Sequence, residues 1–251
     1  CWAAYNSCVR PAVSYPLMGQ QCTVEDLSPT QSVMDQIACH ALGLNEHFPR
    51  ALLHGPVSLG GIGVPTLWAD SLADKLAYFV HHMRVLDDVG IQLSVSLAIT
   101  QLEVGVGVPF FQLPFETWGF LATKSWVVHL WQSCSRASID LQAAEGKHWL
   151  PPLQTESDGY IMDILTQKYS RKACIKLNHC RRFLQVVTTS DLFLHDGSRI
   201  HPEIYRGQRA SGRAPQYEWP EISPPSRSCW TLWKQFLRSA FPAGIHLHAA
   251  D

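Results

Sequence analysis

Trp68, Leu72, Leu76, Phe79 and Met83 follow one another at intervals of four, four, three and four residues. At 100° per residue they fall on one apolar stripe, which a chain can bury only by forming an α-helix. Thr66, just ahead, supplies a hydroxyl able to cap the free N–H groups of that helix. The same signals recur along the chain. Residues 2–15 are apolar and predict a helix interrupted or bent at Pro11. Ser28-Pro29 reads as a helix start, with a run to about Leu42 and a stop at Gly43. Residues 91–99 alternate as a strand would, but the apolar run from Val89 to Val104 ends at Gly105 and has the length and stop of a helix, so a helix is expected. A further helix is expected over about 119–136, burying Phe120, Val127, Leu130 and Trp131.

The stretch 140–154, with Gly146, Pro151 and Pro152, reads as a linker. Beyond it come a short acidic helix near 158–167 and a basic helix over about 170–187. Asp196-Gly197, between Leu192-Phe193-Leu194 and Arg199-Ile200, is a two-residue hairpin signal, because both turn positions need positive φ. Residues 206–225 are rich in breakers and read as irregular. A last helix from about Cys229 buries Trp230, Trp233, Leu237 and Phe241. The expected fold class is mainly α: a helical region over 1–139, the linker, and a smaller helical tail over 155–251 with one β-hairpin.

Composition fits a globular chain. With 46% hydrophobic residues in 251, folding buries roughly three quarters of the unfolded surface, so no covalent or metal staple is needed. No run of 18 apolar residues occurs and no secretory leader pattern precedes the fold, so neither a membrane span nor a signal peptide is expected. The eight cysteines are irregularly spaced and read as free thiols of an intracellular protein. The first residue is Cys1, so this N-terminus is expected to lie inside a longer protein. Net charge is −1 but unevenly spread: residues 1–146 hold 6 Lys/Arg against 12 Asp/Glu, residues 147–251 hold 14 against 9. An anionic partner for the second half is the natural inference.

On the basic helix Lys168, Lys172, Lys176, His179 and Arg182 share one broad sector, with Phe183 at its edge and Cys174, Leu177, Cys180, Leu184 and Val187 opposite. A cationic stripe beside an aromatic suits a phosphate backbone and an unstacked base; a solvated amphipathic face is the plainer alternative. The glycine cluster from Gly55 to Gly63 lacks the Gly-Lys-Ser/Thr ending of a phosphate loop and reads as a tight turn against a neighbour. Cys39-His40, His81-His82 and Cys174 with His179 and Cys180 lack paired short-spaced ligand motifs, so no metal site is expected. No nucleophile elbow occurs, and Asp87-Asp88 reads as a helix start.

Three sets of strings carry a family resemblance. The first is Arg10-Pro11 with Tyr15-Pro16-Leu17. The second, the most specific, is Leu42-Gly43-Leu44, His47-Phe48-Pro49-Arg50, His54-Gly55-Pro56 and Leu59-Gly60-Gly61-Ile62-Gly63-Val64-Pro65. The third is Asn178-His179-Cys180-Arg181-Arg182-Phe183-Leu184-Gln185-Val186, Thr189-Ser190-Asp191-Leu192, Asp196-Gly197-Ser198-Arg199-Ile200, Trp219-Pro220 and Trp230 with Trp233. In this order they resemble reverse transcriptases of non-LTR-like retroelements, of the type abundant in diatom and related algal genomes. The strings correspond there to the segment after the palm, the thumb, and a C-terminal extension.

The resemblance implies a polymerase copying RNA into DNA with two divalent metals, expected to be Mg, held by palm aspartates in a Tyr/Phe-x-Asp-Asp motif. This chain has no such motif; its adjacent acidic pairs, Glu25-Asp26 and Asp87-Asp88, lack that context. Cys1 falls about where the thumb starts. The chain is therefore expected to be a thumb and tail, non-catalytic alone and holding no cofactor, with the palm and fingers upstream or lost from a decayed copy. Its expected partners are those domains and an RNA–DNA duplex, gripped through backbone phosphates. Lys172, Lys176 and Arg182 are the leading phosphate contacts, with Lys168 and His179 beside them and Arg50 as a thumb candidate. The competing expectation is a helical interaction module, or an element relic, that binds no nucleic acid.

Overall fold

Thr23 opens the first long helix, α1 (Val24–Leu42), with a reciprocal capping box: its hydroxyl accepts from the Asp26 N–H while the Asp26 carboxylate accepts from the Thr23 N–H. The helix thus starts ahead of Ser28-Pro29. Pro29 lies in its second turn and forgoes one backbone hydrogen bond, and the added turn buries Leu27 in return. At the other end Gly43 takes φ 72°; its N–H reaches the His40 carbonyl and the Leu44 N–H reaches Cys39, the paired bonds of a Schellman stop. In this computed structural model the described residues are 1–141, 152–154, 156, 158–194, 197, 199–211, 217 and 219–242. They form a mainly α protein. No helix among them is long and apolar enough to cross a membrane.

The chain divides into two compact units: Cys1–Leu93 with Lys124–Cys134, and Ser94–Thr123 with Ser135–Asp251. This partition follows packing, whereas the division around 140–154 follows charge and composition; most of that linker lies outside the described residues.

In the first unit the helical run from Trp2 to Gly19 contains a wide π turn at Tyr5–Val9, where the Arg10 N–H reaches back to the Tyr5 carbonyl. An ordinary turn would drive the ring of Pro11 into the carbonyl four residues before it, so the interruption expected at Pro11 takes this form. Arg10 then clamps Asp70 with two 2.6 Å bonds, fixing the run against helix α2 (Leu67–Val85). Thr66 caps α2 as expected, accepting from the Ala69 N–H at 3.2 Å. Its buried face carries Leu67, Ser71, Leu72, Lys75 and Phe79, with Trp68, Leu76 and Met83 half-buried along one flank. Tyr5, Leu17, Leu27, Met34, Ala38, Cys39, Leu53, Val64 and Leu67 close one core.

The ambiguous 91–99 segment is helical, within α3 (Asp88–Val104). Asp87 accepts from the Gly90 N–H at its start, and Gly105 at φ 70° ends it. The helix expected over 119–136 is shorter. Helical turns at Phe115–Trp118 and Gly119–Leu121 are followed by a break, and α4 spans Trp126–Ala137. The break has a cause: the N–H and hydroxyl of Thr123 both bind the Glu103 carboxylate at 2.7 Å, which draws the backbone out of a helix, and the Ser125 hydroxyl then caps α4.

In the second unit α5 (Ile161–Lys168), α6 (Arg171–Leu184) and α7 (Arg227–Ala240) pack together around Leu165, Leu177, Cys180, Trp233, Phe236 and Leu237. Of the four residues expected to be buried on the last helix, Trp233 and Leu237 are fully so, Trp230 and Phe241 half so. Helix α6 ends at Leu184, short of Val187, because Gln185 adopts φ 60° and closes a Schellman-type stop onto Arg181 and Arg182. The hairpin is minimal: Phe193 pairs with Ile200, Leu194 bonds Arg199, and Gly197 turns at φ 68°. Asp196 lies outside the described residues.

Candidate nucleic-acid interface

The basic sector is split by the chain itself. Lys168 ends α5, Ser170 sits ahead of Arg171, and α6 begins there, so Lys168 does not share a helix with Lys172, Lys176, His179 and Arg182. Lys168, Lys172 and Lys176 are exposed, and none forms an ion pair with a described carboxylate. The other members are engaged. The His179 Nε2–H donates to the Ser223 carbonyl at 2.8 Å. Arg182 pairs with the buried Glu103 carboxylate and reaches the Thr123 hydroxyl. His179 and Arg182 do line one cleft of about 430 Å³, which Thr123 and Ser223 also border. Phe183 is covered: Trp230 packs edge-on against its ring and the Arg209 guanidinium lies 5.5 Å from it.

Arg50 is a structural pin. Its Nε lies 3.4 Å from the buried Asp35 carboxylate, and its other nitrogens donate to the Cys39 sulfur and the Glu46 carbonyl. Asp35 also accepts from Gln31, while His54 reaches it through Nε2 and the Val64 carbonyl through Nδ1. This network closes the glycine loop. Gly61 lies so near Gly55 that an added Cβ would stand 2.2 Å from the Gly55 carbonyl oxygen, and Ile62 and Val64 bond back to Leu52 and Leu53. The glycines are needed for backbone against backbone, as a tight turn requires.

Beside the free lysines lies a residue the sequence pattern passes over. Arg171 is exposed, sits 4.4 Å over the Phe120 ring, and lines a cleft of about 500 Å³ with Trp118, Phe120, Tyr169 and Gln167. Arg171 and Lys172 are also the first two residues of α6, where the helix's positive end disfavours cations by about 0.3–1 kcal/mol each. Helix stability therefore does not account for them. The signal open to a reader of sequence was the aromatic string Phe115-Glu116-Thr117-Trp118-Gly119-Phe120, of which only Gly119 and Phe120 fell within the helix expected over 119–136.

Arg181 and Asp158 are two of the buried charges in the second unit. Arg181 is fully buried and donates to the carbonyls of Leu102, Glu103 and Val186 and to the Asn178 side chain. Burial pushes its pKa down to about 9, which still leaves it charged at neutral pH. Asp158 is pushed up by burial, but N–H groups of Gln154 and Ser190 and the Thr189 hydroxyl bind it and bring its pKa down to about 2.

All eight cysteines are free. Burial pushes the Cys134 thiol up to about 11 and raises Cys174 and Cys180 as well, so none of these three offers a ready thiolate. Among the described residues no group of three His, Cys, Asp or Glu is placed to hold a metal. In comparisons with known proteins, no family model, no curated protein and no solved structure matches this chain.

Proposed function

We propose that this chain is the thumb and tail of a retroelement RNA-directed DNA polymerase, holding primer–template duplex through its backbone phosphates and catalysing nothing alone. The observation that carries the reading is the set of exposed cations Lys168, Arg171, Lys172 and Lys176 at and after the α5–α6 joint, the lysines having no carboxylate partner among the described residues, in a half of the chain with net positive charge. The motif strings around Gly43, Arg50 and Gly60-Gly61 support the family resemblance, and their residues serve to close a loop. In this reading palm and fingers domains are the protein partners and supply the metal-binding aspartates. Duplex held this way is gripped without sequence preference.

The test is binding to an RNA–DNA hybrid across a salt series. Lys172→Ala with Lys176→Ala is expected to weaken binding about tenfold or more at low salt, equally for unrelated sequences. Equal binding by variant and parent would overturn the assignment of this face.

A second reading, a helical interaction module, is favoured by one feature of the first unit. Tyr15, Val57 and Leu59 are 77%, 73% and 81% exposed, more than solvent-facing apolar side chains need be. It predicts no hybrid binding at moderate salt and self-association that Val57→Ser with Leu59→Ser relieves.

A further inference from the structure

We infer that the cleft walled by Trp118, Phe120 and Tyr169 seats one unpaired nucleobase of a single strand, with its flanking phosphates on Arg171, Lys168 and Lys172. The inference rests on the nucleic-acid reading and adds to it a position and a ligand: an unstacked nucleotide, where the lysines alone imply only duplex backbone.

Three aromatic side chains meet at this cleft, each half-buried, so each keeps ring surface open to solvent. They come from separate places: Trp118 and Phe120 from the helical turns before α4, Tyr169 from the joint between α5 and α6. Tyr169 is held in place by Phe236, packed edge-on, and by its hydroxyl 3.4 Å from Ser239. Every base has a π face, and stacking on such rings is sequence-tolerant.

The charge pattern selects the occupant. Arg171 already lies over the Phe120 ring, so one wall offers a π surface and a fixed positive charge side by side. Lys168 and Lys172 flank Tyr169 and Arg171 in the chain, are exposed, and have no ion-pair partner among the described residues. Glu116 also lines the cleft, its carboxylate accepting from the Ser135 hydroxyl, and disfavours phosphate where it stands. A purely apolar ligand would gain nothing from Arg171, which lines the cleft, or from the lysines next to it in the chain, and a phosphate alone would gain nothing from three rings. A nucleotide uses both. Gln167 and Thr166, also lining the cleft, add polar groups able to meet a base edge without fixing its identity.

The experiment uses the whole chain and a single-stranded oligouridylate carrying 4-thiouridine. Irradiation followed by peptide mapping locates the base, while fluorescence anisotropy compares that strand with an RNA–DNA hybrid. Crosslinks are expected on peptides containing Trp118, Phe120 or Tyr169. Trp118→Leu is expected to weaken single-strand binding about tenfold and to leave hybrid binding within about twofold. Arg171→Lys, which keeps the charge but loses the planar guanidinium, serves as a second, milder variant, and circular dichroism checks that both are folded. If both ligands bind but crosslinks map elsewhere and both variants bind as the parent does, the cleft is not the base seat, while the phosphate-holding reading stands. If neither ligand binds the parent, both readings fall.

Discussion

Arg182 is committed to Glu103: its guanidinium donates to a carboxylate that is almost wholly buried, sharing the Oε1 atom with the Thr123 hydroxyl while the Thr123 N–H takes Oε2. This pair ties the Arg182 guanidinium to the protein and gives it a structural task. Arg182→Ala leaves a buried carboxylate short of its cation, and is expected to cost about 3 kcal/mol, a fall of about 6–12 °C in melting temperature. Glu103→Gln in the same chain should recover part of that loss, so a double-mutant cycle measures the coupling. Hybrid binding of folded Arg182→Ala should match the parent at temperatures well below its melting point. A selective loss of binding with unchanged stability would reinstate Arg182 as a phosphate contact.

The neighbouring Arg181 acts on the same helix end through the backbone. A cation at a helix C-terminus meets the negative end of the dipole, and here it also satisfies carbonyls that α3 leaves unpaired. Gly105 makes the room: a Cβ there would stand 2.5 Å from the guanidinium carbon, and the residue's φ of +70° is costly for any side chain. Gly105→Ala is expected to destabilise the protein by about 2 kcal/mol or more, read from the midpoint of urea unfolding. A midpoint within error of the parent would show that Arg181 has slack.

These two arginines show how far the sequence could be read. The caps and stops that were legible are local, Thr66, Gly43 and Gly105 acting within a few residues of where they stand, although the equally local capping box at Thr23 and the stop at Gln185 were passed over. The helix over 88–104 was legible from length and stop, despite its alternating pattern. The break before Trp126 was not, because it depends on Glu103, 20 residues away. Arg182 could not be told from Lys172 or Lys176 by helical angle, since its partner lies 79 residues earlier. The aromatic cleft escaped for the same reason. Its walls are joined only by folding.

Asp158 gives a pH signature. Its folded pKa, about 2, lies below the ordinary 3.8, so its stabilising effect is complete above about pH 4 and is lost as pH falls through about 2. The shift corresponds to about 2 kcal/mol. Asp158→Asn should therefore melt below the parent at pH 7, and the two melting curves should converge as pH drops from about 4 to about 2. A gap that stays constant over that range would mean the carboxylate's charge is not what Gln154, Thr189 and Ser190 recognise.

Exposed lysines contribute to binding through released counterions, which gives each a measurable share. If Lys168, Lys172 and Lys176 each neutralise a phosphate, then replacing any one with Ala reduces the slope of log K against log salt by about 1. Because all three are exposed and none pairs with a carboxylate among the described residues, stability should change by less than about 0.5 kcal/mol, which separates binding from folding. Arg50→Ala supplies the contrast. That residue is tied to Asp35, so its loss should lower stability by about 2 kcal/mol and leave the salt slope alone. A slope unchanged by all three lysine substitutions, in a chain that still binds hybrid, would move the contact surface off the α5–α6 joint altogether.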